Sequence, residues 1–187
     1  MEQFPSRDEA LALLCRYNSN PSLVNHAKSV EVAMRFMARK RGGDEELWGV
    51  VGLIHDLDYE QFPEQHCHKT AEILRAENWP EEIVRAVLSH GWQICTDVQP
   101  ESDLERTLYA VDELVGLITA CALVRPSKSV GDLAVKSVKK KWKQRSFAAG
   151  ADREVILRGK ELMGVELDEL TGDVIAALRE VADEIGL

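Results

Sequence analysis

The chain has 187 residues, of which 45% are hydrophobic and 29% charged, with a net charge of −9. That is an ordinary globular balance, long enough to bury a sizeable core without disulfide staples. The acidity argues against general nucleic-acid binding. The start, MEQFPSRDEA, has the character of neither a signal nor a transit peptide. The longest apolar stretch, Leu114 to Val124, is far too short to span a bilayer, so the expected setting is cytoplasmic, with no membrane partner. Cys15, Cys67, Cys95 and Cys121 are scattered with no CxxC pair, and are expected as reduced, buried thiols. The charge is uneven: Pro126 to Lys160 carries ten Lys and Arg against three Asp and Glu.

In chain order, nearly every segment reads at the helical period and none alternates as a strand does. Asp8 to Tyr17 is a short helix with Asp8 as its N-cap. Asn20-Pro21 breaks the chain, and Ser22 caps a second helix running to about Arg41, stopped by Gly42-Gly43. Asp44 caps a third, through Trp48, Val51 and Ile54. Pro63 opens a fourth, to about Asn78, and Pro80 a fifth, ending near Gly91. After a loop containing Pro100, a long apolar helix covers Asp103 to Val124 and stops at Arg125-Pro126. Helices over Val130 to Arg145, Asp152 to Met163 and Leu167 to Ile185 complete the chain. The expected fold class is all-α, a single multi-helix globule over residues 1–187.

The five histidines lie between His26 and His90. His26 shares a helix face with Val30, Ala33 and Met37. His55 closes the third helix in line with Trp48 and Val51, directly after the apolar run VVGLI and next to Asp56. His90 follows Ile83 and Val87, and Asp112 lies between Leu108 and Val115. On the fourth helix His66 shares a side with Thr70 and Ile73, and His68 with Glu72 and Arg75, so His66 is expected to point in and His68 out. A lone inward histidine is ordinarily a hydrogen-bonded core residue. Several inward imidazoles and carboxylates on different helices are another matter. Burying each without a partner costs on the order of 2–7 kcal/mol, more for a charge, and one shared cation satisfies them together. Imidazole with carboxylate suits manganese, iron, cobalt, nickel, zinc or magnesium. None of these positions is a cysteine, which argues against a structural zinc site.

The ordered set His26, His55-Asp56, His66, His90, Asp112 resembles the HD-domain superfamily of metal-dependent phosphohydrolases. HCHKTAEIL (His66 to Leu74) and YAVDELVGLITA (Tyr109 to Ala120) extend the likeness. KSVKKKWKQRSFAAGADREVI (Lys136 to Ile156) resembles a bacterial subgroup of small HD proteins. The resemblance implies an HD-like core over about 22–125 and a C-terminal helical extension over about 126–187. It implies one divalent ion among His26, His55, Asp56 and Asp112, with Asp56 bridging to a second held by His66 and His90. Asp56, His66 and His90 are then also the catalytic residues. With only one ion, His66 and His90 are free to bind phosphate or protonate a leaving group. The sequence leaves these two arrangements open. It departs from the family at Asp58 and Tyr59, where a Gly-Lys pair is common, and at Gly91, where many two-metal members carry another histidine.

The implied activity is hydrolysis of a phosphomonoester or phosphodiester of a small metabolite or nucleotide by metal-activated water. Two alternatives share the ligand order or the fold: an HD-type di-iron oxygenase and a non-catalytic nucleotide-binding module. Asp58, Lys69, Lys128, Lys139, Lys140 and Arg153 are candidate substrate contacts; Asp58 and Lys69 are also candidates for groups that support the ligands or act as acids, or are solvated helix-end charges. Against that, KSVKKKWKQR also reads as an exposed amphipathic helix with Val135, Val138 and Trp142 packed and its lysines solvated.

Overall fold

A computed structural model describes residues 4–187, so the reading of the N-terminal character falls partly on Met1 to Gln3, outside the described residues. The fold is all-α. Ten α-helices and one 3-10 turn are present among the described residues. They are α1 (Arg7–Tyr17), α2 (Pro21–Arg41), α3 (Glu45–Ile54), the 3-10 turn Pro63–Gln65, α4 (His68–Ala76), α5 (Glu81–His90), α6 (Asp103–Leu123), α7 (Val135–Trp142), α8 (Arg153–Met163), α9 (Leu167–Glu180) and α10 (Ala182–Ile185).

The helix starts follow cap chemistry more closely than the periodicity did. Ser6, not Asp8, caps α1, in a reciprocal capping box with Glu9. Asn20, not Ser22, caps α2: its side chain accepts from the Ser22 amide and Pro21 takes the first helical position. Asp44 caps α3 as expected. Ser102 and Glu105 form a second capping box at the head of α6. Three expected helices are shorter than their apolar pattern. The fourth is interrupted at His66 and Cys67, so α4 starts only at His68. The seventh starts at Val135, because Arg125, Ser127 and Asp132 tie the preceding segment into a hydrogen-bonded loop. The last breaks at Val181, whose φ of −132° leaves the helical range.

The long helices α2 and α6 pack on each other and carry the core. α2 also meets α3 and α9, and α6 also meets α5 and α8. Val30 and Met34 of α2, Leu53 of α3 and Leu108, Leu114 and Leu117 of α6 are fully buried. Each such side chain contributes roughly 1.5–3 kcal/mol over its exposed state. The α6–α8 crossing is close enough that a Cβ at Gly159 would lie 2.6 Å from the Ala110 backbone. That approach seats the C-terminal part of the chain beside the stretch of α6 that carries Asp112. The N-terminal part of α2, the ends of α3 and α5, the middle of α6 and the turn before α4 thus meet at a common cleft.

Candidate metal centre

α2 delivers His26 from its second turn, and mid-α6 delivers Asp112 opposite, with His26 Nε2 2.9 Å from Asp112 Oδ1. α3 ends at Ile54, and His55 follows as its C-cap. His55 Nδ1 donates to the Gly52 carbonyl at 2.8 Å, which turns Nε2 toward Asp112 Oδ1 at 3.3 Å. His90, the last residue of α5, is held in the same way: Nδ1 donates to Val87 O at 2.5 Å. Donation from Nδ1 fixes the tautomer whose Nε2 lone pair is free for a cation.

Asp56 sits in the middle. Its Oδ2 lies 3.4 Å from His55 Nε2 and 3.8 Å from His26 Nε2. Its Oδ1 lies 3.4 Å from His90 Nε2 and 3.6 Å from His66 Nε2. Each carboxylate oxygen therefore faces a different pair of imidazoles. Burial raises the Asp56 carboxyl, but His55 and His90 outweigh it and hold the group well below the usual carboxylate range. Asp112 is depressed likewise, burial being outweighed by His55 and His26. Burial lowers His55, but Asp56 and Asp112 overcome it and raise the imidazole well above its ordinary value.

Asp56 Oδ1 tests whether a cation fits. It is buried and has no hydrogen-bond partner. A buried carboxylate oxygen left unpaired costs at least about 1–3 kcal/mol. Facing two imidazoles at 3.4–3.6 Å, it has the donor set and the open geometry that a divalent cation satisfies. His26, His55, Asp56 and Asp112 form one group whose ligand atoms lie within 4.8 Å of one another, and His66, Cys67 and His90 form a second. The residues present fit two adjacent cation positions with Asp56 between them.

The structure relocates several candidates. His66 is not on a helix: it precedes a sharp turn at Cys67. Its direction comes from Asp58, whose Oδ1 accepts from His66 Nδ1 at 3.0 Å. Asp58 itself is fully buried, and its Oδ2 accepts from the Thr70 amide at 2.9 Å. It is thus no substrate contact but the group that orients His66 and raises its imidazole against the lowering effect of burial. His68 is exposed, and Nε2 donates to Cys95 O at 2.9 Å. Accordingly His66→Ala is expected to lower metal content several-fold and His68→Ala to leave it nearly unchanged, measured by elemental analysis of the two purified variants.

The lysine candidates lie away from the centre, and Arg153, which lines the cleft, has its donors committed elsewhere. Arg153 is buried, and its nitrogens donate to the carbonyls of Trp142, Gln144, Phe147, Ala148 and Ala151. It folds the loop before α8 and has no donor geometry left for substrate. Lys139 pairs with Asp168 at 2.7 Å, Lys69 pairs with Glu72 at 2.6 Å, and Lys140 lines a separate groove beside Cys121 and Leu133. Lys128 is exposed, at a left-handed φ of 51°. None of these lysines lines the cleft over the centre.

That cleft has a volume of about 920 Å³. Its walls include residues the sequence reading passed over. Arg145, the last cation of the noticed basic run, reaches it with a side chain 76% exposed. Small residues Ala148 to Ala151 form one wall, and Tyr59 and Ile94, both exposed, form another part. Glu113, next to Asp112, is pushed up to about 7 by burial and by the Asp112 charge. The expectation of buried thiols fails at Cys15, which is exposed, and at Cys95, which is half-buried in the cleft wall. Nor is the centre free of cysteine: Cys67 Sγ lies 3.7 Å from His90 Nε2. Its position between two histidines in HCHKT was the signal available for it.

The helices bring imidazoles and two aspartates together at the floor of an open cleft, a set that could hold a metal ion. Residues 23–116 match the family model described as HD domain, and the chain belongs to that family. Curated relatives are more distant. A tRNA (cytidine(56)-2'-O)-methyltransferase of Thermoplasma volcanium is 26% identical over 89% of this chain and 50% of its own length. A Ribonuclease Y of Sulfurovum sp. is 26% identical over 81% of this chain and 31% of its own length. The chain thus spans half or less of the relatives it matches. No solved structure matches it. Among the described residues no helix is long and apolar enough to cross a membrane.

Proposed function

We propose that the protein is a metal-dependent phosphohydrolase acting on a phosphomonoester or phosphodiester of a small molecule, with a nucleotide as one candidate. The observation that carries this reading is Asp56, with one carboxylate oxygen toward His55 and His26 and the other, unpartnered, toward His90 and His66. A divalent cation bound there supplies a Lewis acid for phosphoryl oxygens and brings the pKa of a water to roughly 7. His26, His55, Asp56 and Asp112 would hold one cation, and Asp56, His66 and His90 the other. Asp58 keeps His66 oriented, and the Nδ1 bonds of His55 and His90 keep their Nε2 atoms aimed inward. The HD family and a relative named as a ribonuclease support phosphoester chemistry.

Arg145 is the cation of the cleft wall with donors to spare: Glu154 is its ion-pair partner at 3.8 Å, a loose contact. It is assigned the phosphate of the substrate. A hydrogen bond to a charged group contributes about 1.5–3 kcal/mol, so Arg145→Ala is expected to raise KM by about tenfold or more with little change in metal content. Steady-state kinetics at fixed ionic strength measure this, and an unchanged KM removes Arg145 from substrate binding. The reading as a whole is tested by elemental analysis of the isolated protein together with a panel of phosphoesters against Mn, Fe, Co, Ni, Zn and Mg. Turnover of at least one ester that depends on metal is expected. Bound metal with every ester untouched, and turnover only with iron and oxygen, turns the assignment to an oxygenase. Ligand binding without turnover under any metal turns it to a non-catalytic module.

A further inference from the structure

We infer that Cys67 supplies a thiolate ligand to the cation position between His66 and His90, making that half of the centre a site for a thiophilic divalent cation. The inference rests on the proposed two-position centre and concerns only its second half. Cys67 is fully buried. Its Sγ lies 3.7 Å from His90 Nε2, and His66, Cys67 and His90 present ligand atoms all within 4.8 Å of one another. Bond lengths of about 2.0–2.3 Å to nitrogen and sulfur in a tetrahedral site place bound donors roughly 3.5 Å apart. Closing these three donors around one ion moves the sulfur toward the Nε2 side of His90, from a position 3.7 Å from Nε2 and 3.9 Å from Nδ1.

The backbone is bent to make this possible. Consecutive residues of a helix point about 100° apart, so a helical His66 and Cys67 would not face one centre. Instead Cys67 has φ 65° and ψ −46°, and the His68 amide donates to the His66 carbonyl at 2.8 Å. This is a γ-turn of the rare, strained sense, and a non-glycine residue there costs about 1–3 kcal/mol. The turn sends the Cys67 side chain toward His90 while Asp58 holds His66.

Space is cleared for the sulfur as well. A Cβ at Gly91 would lie 2.6 Å from the Sγ atoms of both Cys67 and Cys95. Any side chain following His90 would therefore displace the thiols. Cys95 Sγ lies 3.3 Å from Cys67 Sγ, so the two thiols share this cleared space. On binding, the cation replaces the Cys67 thiol proton, which leaves to solvent. A thiolate beside two imidazoles favours zinc, cobalt or iron(II) over magnesium or manganese, which prefer oxygen.

The test is titration of metal-free, fully reduced protein with cobalt(II), read by absorbance. The expected result is a thiolate-to-cobalt charge-transfer band in the near ultraviolet, together with visible ligand-field bands. Cys67→Ser is expected to lose the near-ultraviolet band, to keep visible absorption from the position formed by His26, His55 and Asp112, and to keep its helical circular dichroism. Cobalt bound to the native protein without the band, or the band intact in Cys67→Ser, overturns the sulfur ligand and leaves the metal centre standing. No cobalt binding at all overturns both. Should Cys67→Ser not fold, X-ray absorption of the native zinc-loaded protein decides. A sulfur scatterer at about 2.3 Å supports Cys67, and a shell of nitrogen and oxygen alone overturns it.

Discussion

Asp56→Ala is expected to strip metal from the purified protein and to lower phosphoester hydrolysis by more than about 10²-fold. Groups that merely orient a ligand cost 10–100-fold in affinity or activity when removed. Asp56 stands within 3.4–3.8 Å of four imidazole nitrogens, so its loss disconnects both cation positions at once. Asp56→Asn separates charge from shape. It keeps an oxygen and the side-chain volume but removes the negative charge that two adjacent cations require, so it is expected to lose metal nearly as fully. Elemental analysis gives the metal content, and circular dichroism checks that the helices persist. Full metal content in the alanine variant would end the bridging role and the two-position centre with it.

How far the centre was legible depended on what held each residue. His26 and Asp112 sit inside the long helices α2 and α6, where the apolar neighbours Val30, Ala33, Leu108 and Val115 fix the phase and hence the face. His55 and His90 end helices whose buried faces also read cleanly. The all-α class followed from the same periodicity, and the ordered ligands pointed to the family. His66 was different. No glycine or proline marks the break at Cys67, because the turn is imposed by distant contacts: the Thr70 amide and the His66 ring both bond to Asp58. A helix-face argument reached an inward His66 for a reason the backbone does not supply.

The cationic segment misled through the same gap between local pattern and tertiary partner. Arg153 reads as a charge available to substrate, yet its value lies in carbonyls of a loop whose path no local pattern encodes. A buried guanidinium with five donors is among the few groups able to satisfy several turned carbonyls at once. Its commitment to Ala148 and Ala151 holds the small residues of the cleft wall in place beside Arg145. Sequence distance also concealed Cys95, which meets Cys67 across 28 positions.

Loading the centre with metal is expected to raise the melting temperature substantially, and the gain is expected to grow as the pH rises above about 6.5. A cation at a thousandfold excess over its Kd stabilises by about 4 kcal/mol. At about 2–4 °C per kcal/mol for a domain of this size, the shift is roughly 8–16 °C. The pH dependence follows from what the metal-free centre does instead. His55 is raised above its ordinary value by Asp56 and Asp112 against the opposing effect of burial, so its proton partly stands in for a cation. The stability it lends is fully present below its unfolded pKa of about 6.5 and is lost as pH rises through the higher folded value. Asp56 and Asp112 are depressed, so their contribution persists above the ordinary carboxylate range and is lost only in strong acid. Across the neutral window the metal-free protein therefore weakens with rising pH, while the cation meets less competition from protons. Paired calorimetric scans with and without chelator, at several pH values, read the difference directly. A gap that is constant or that narrows toward alkaline pH would mean that protons and metal do not compete for His55, and the two cation positions would have to be drawn without it.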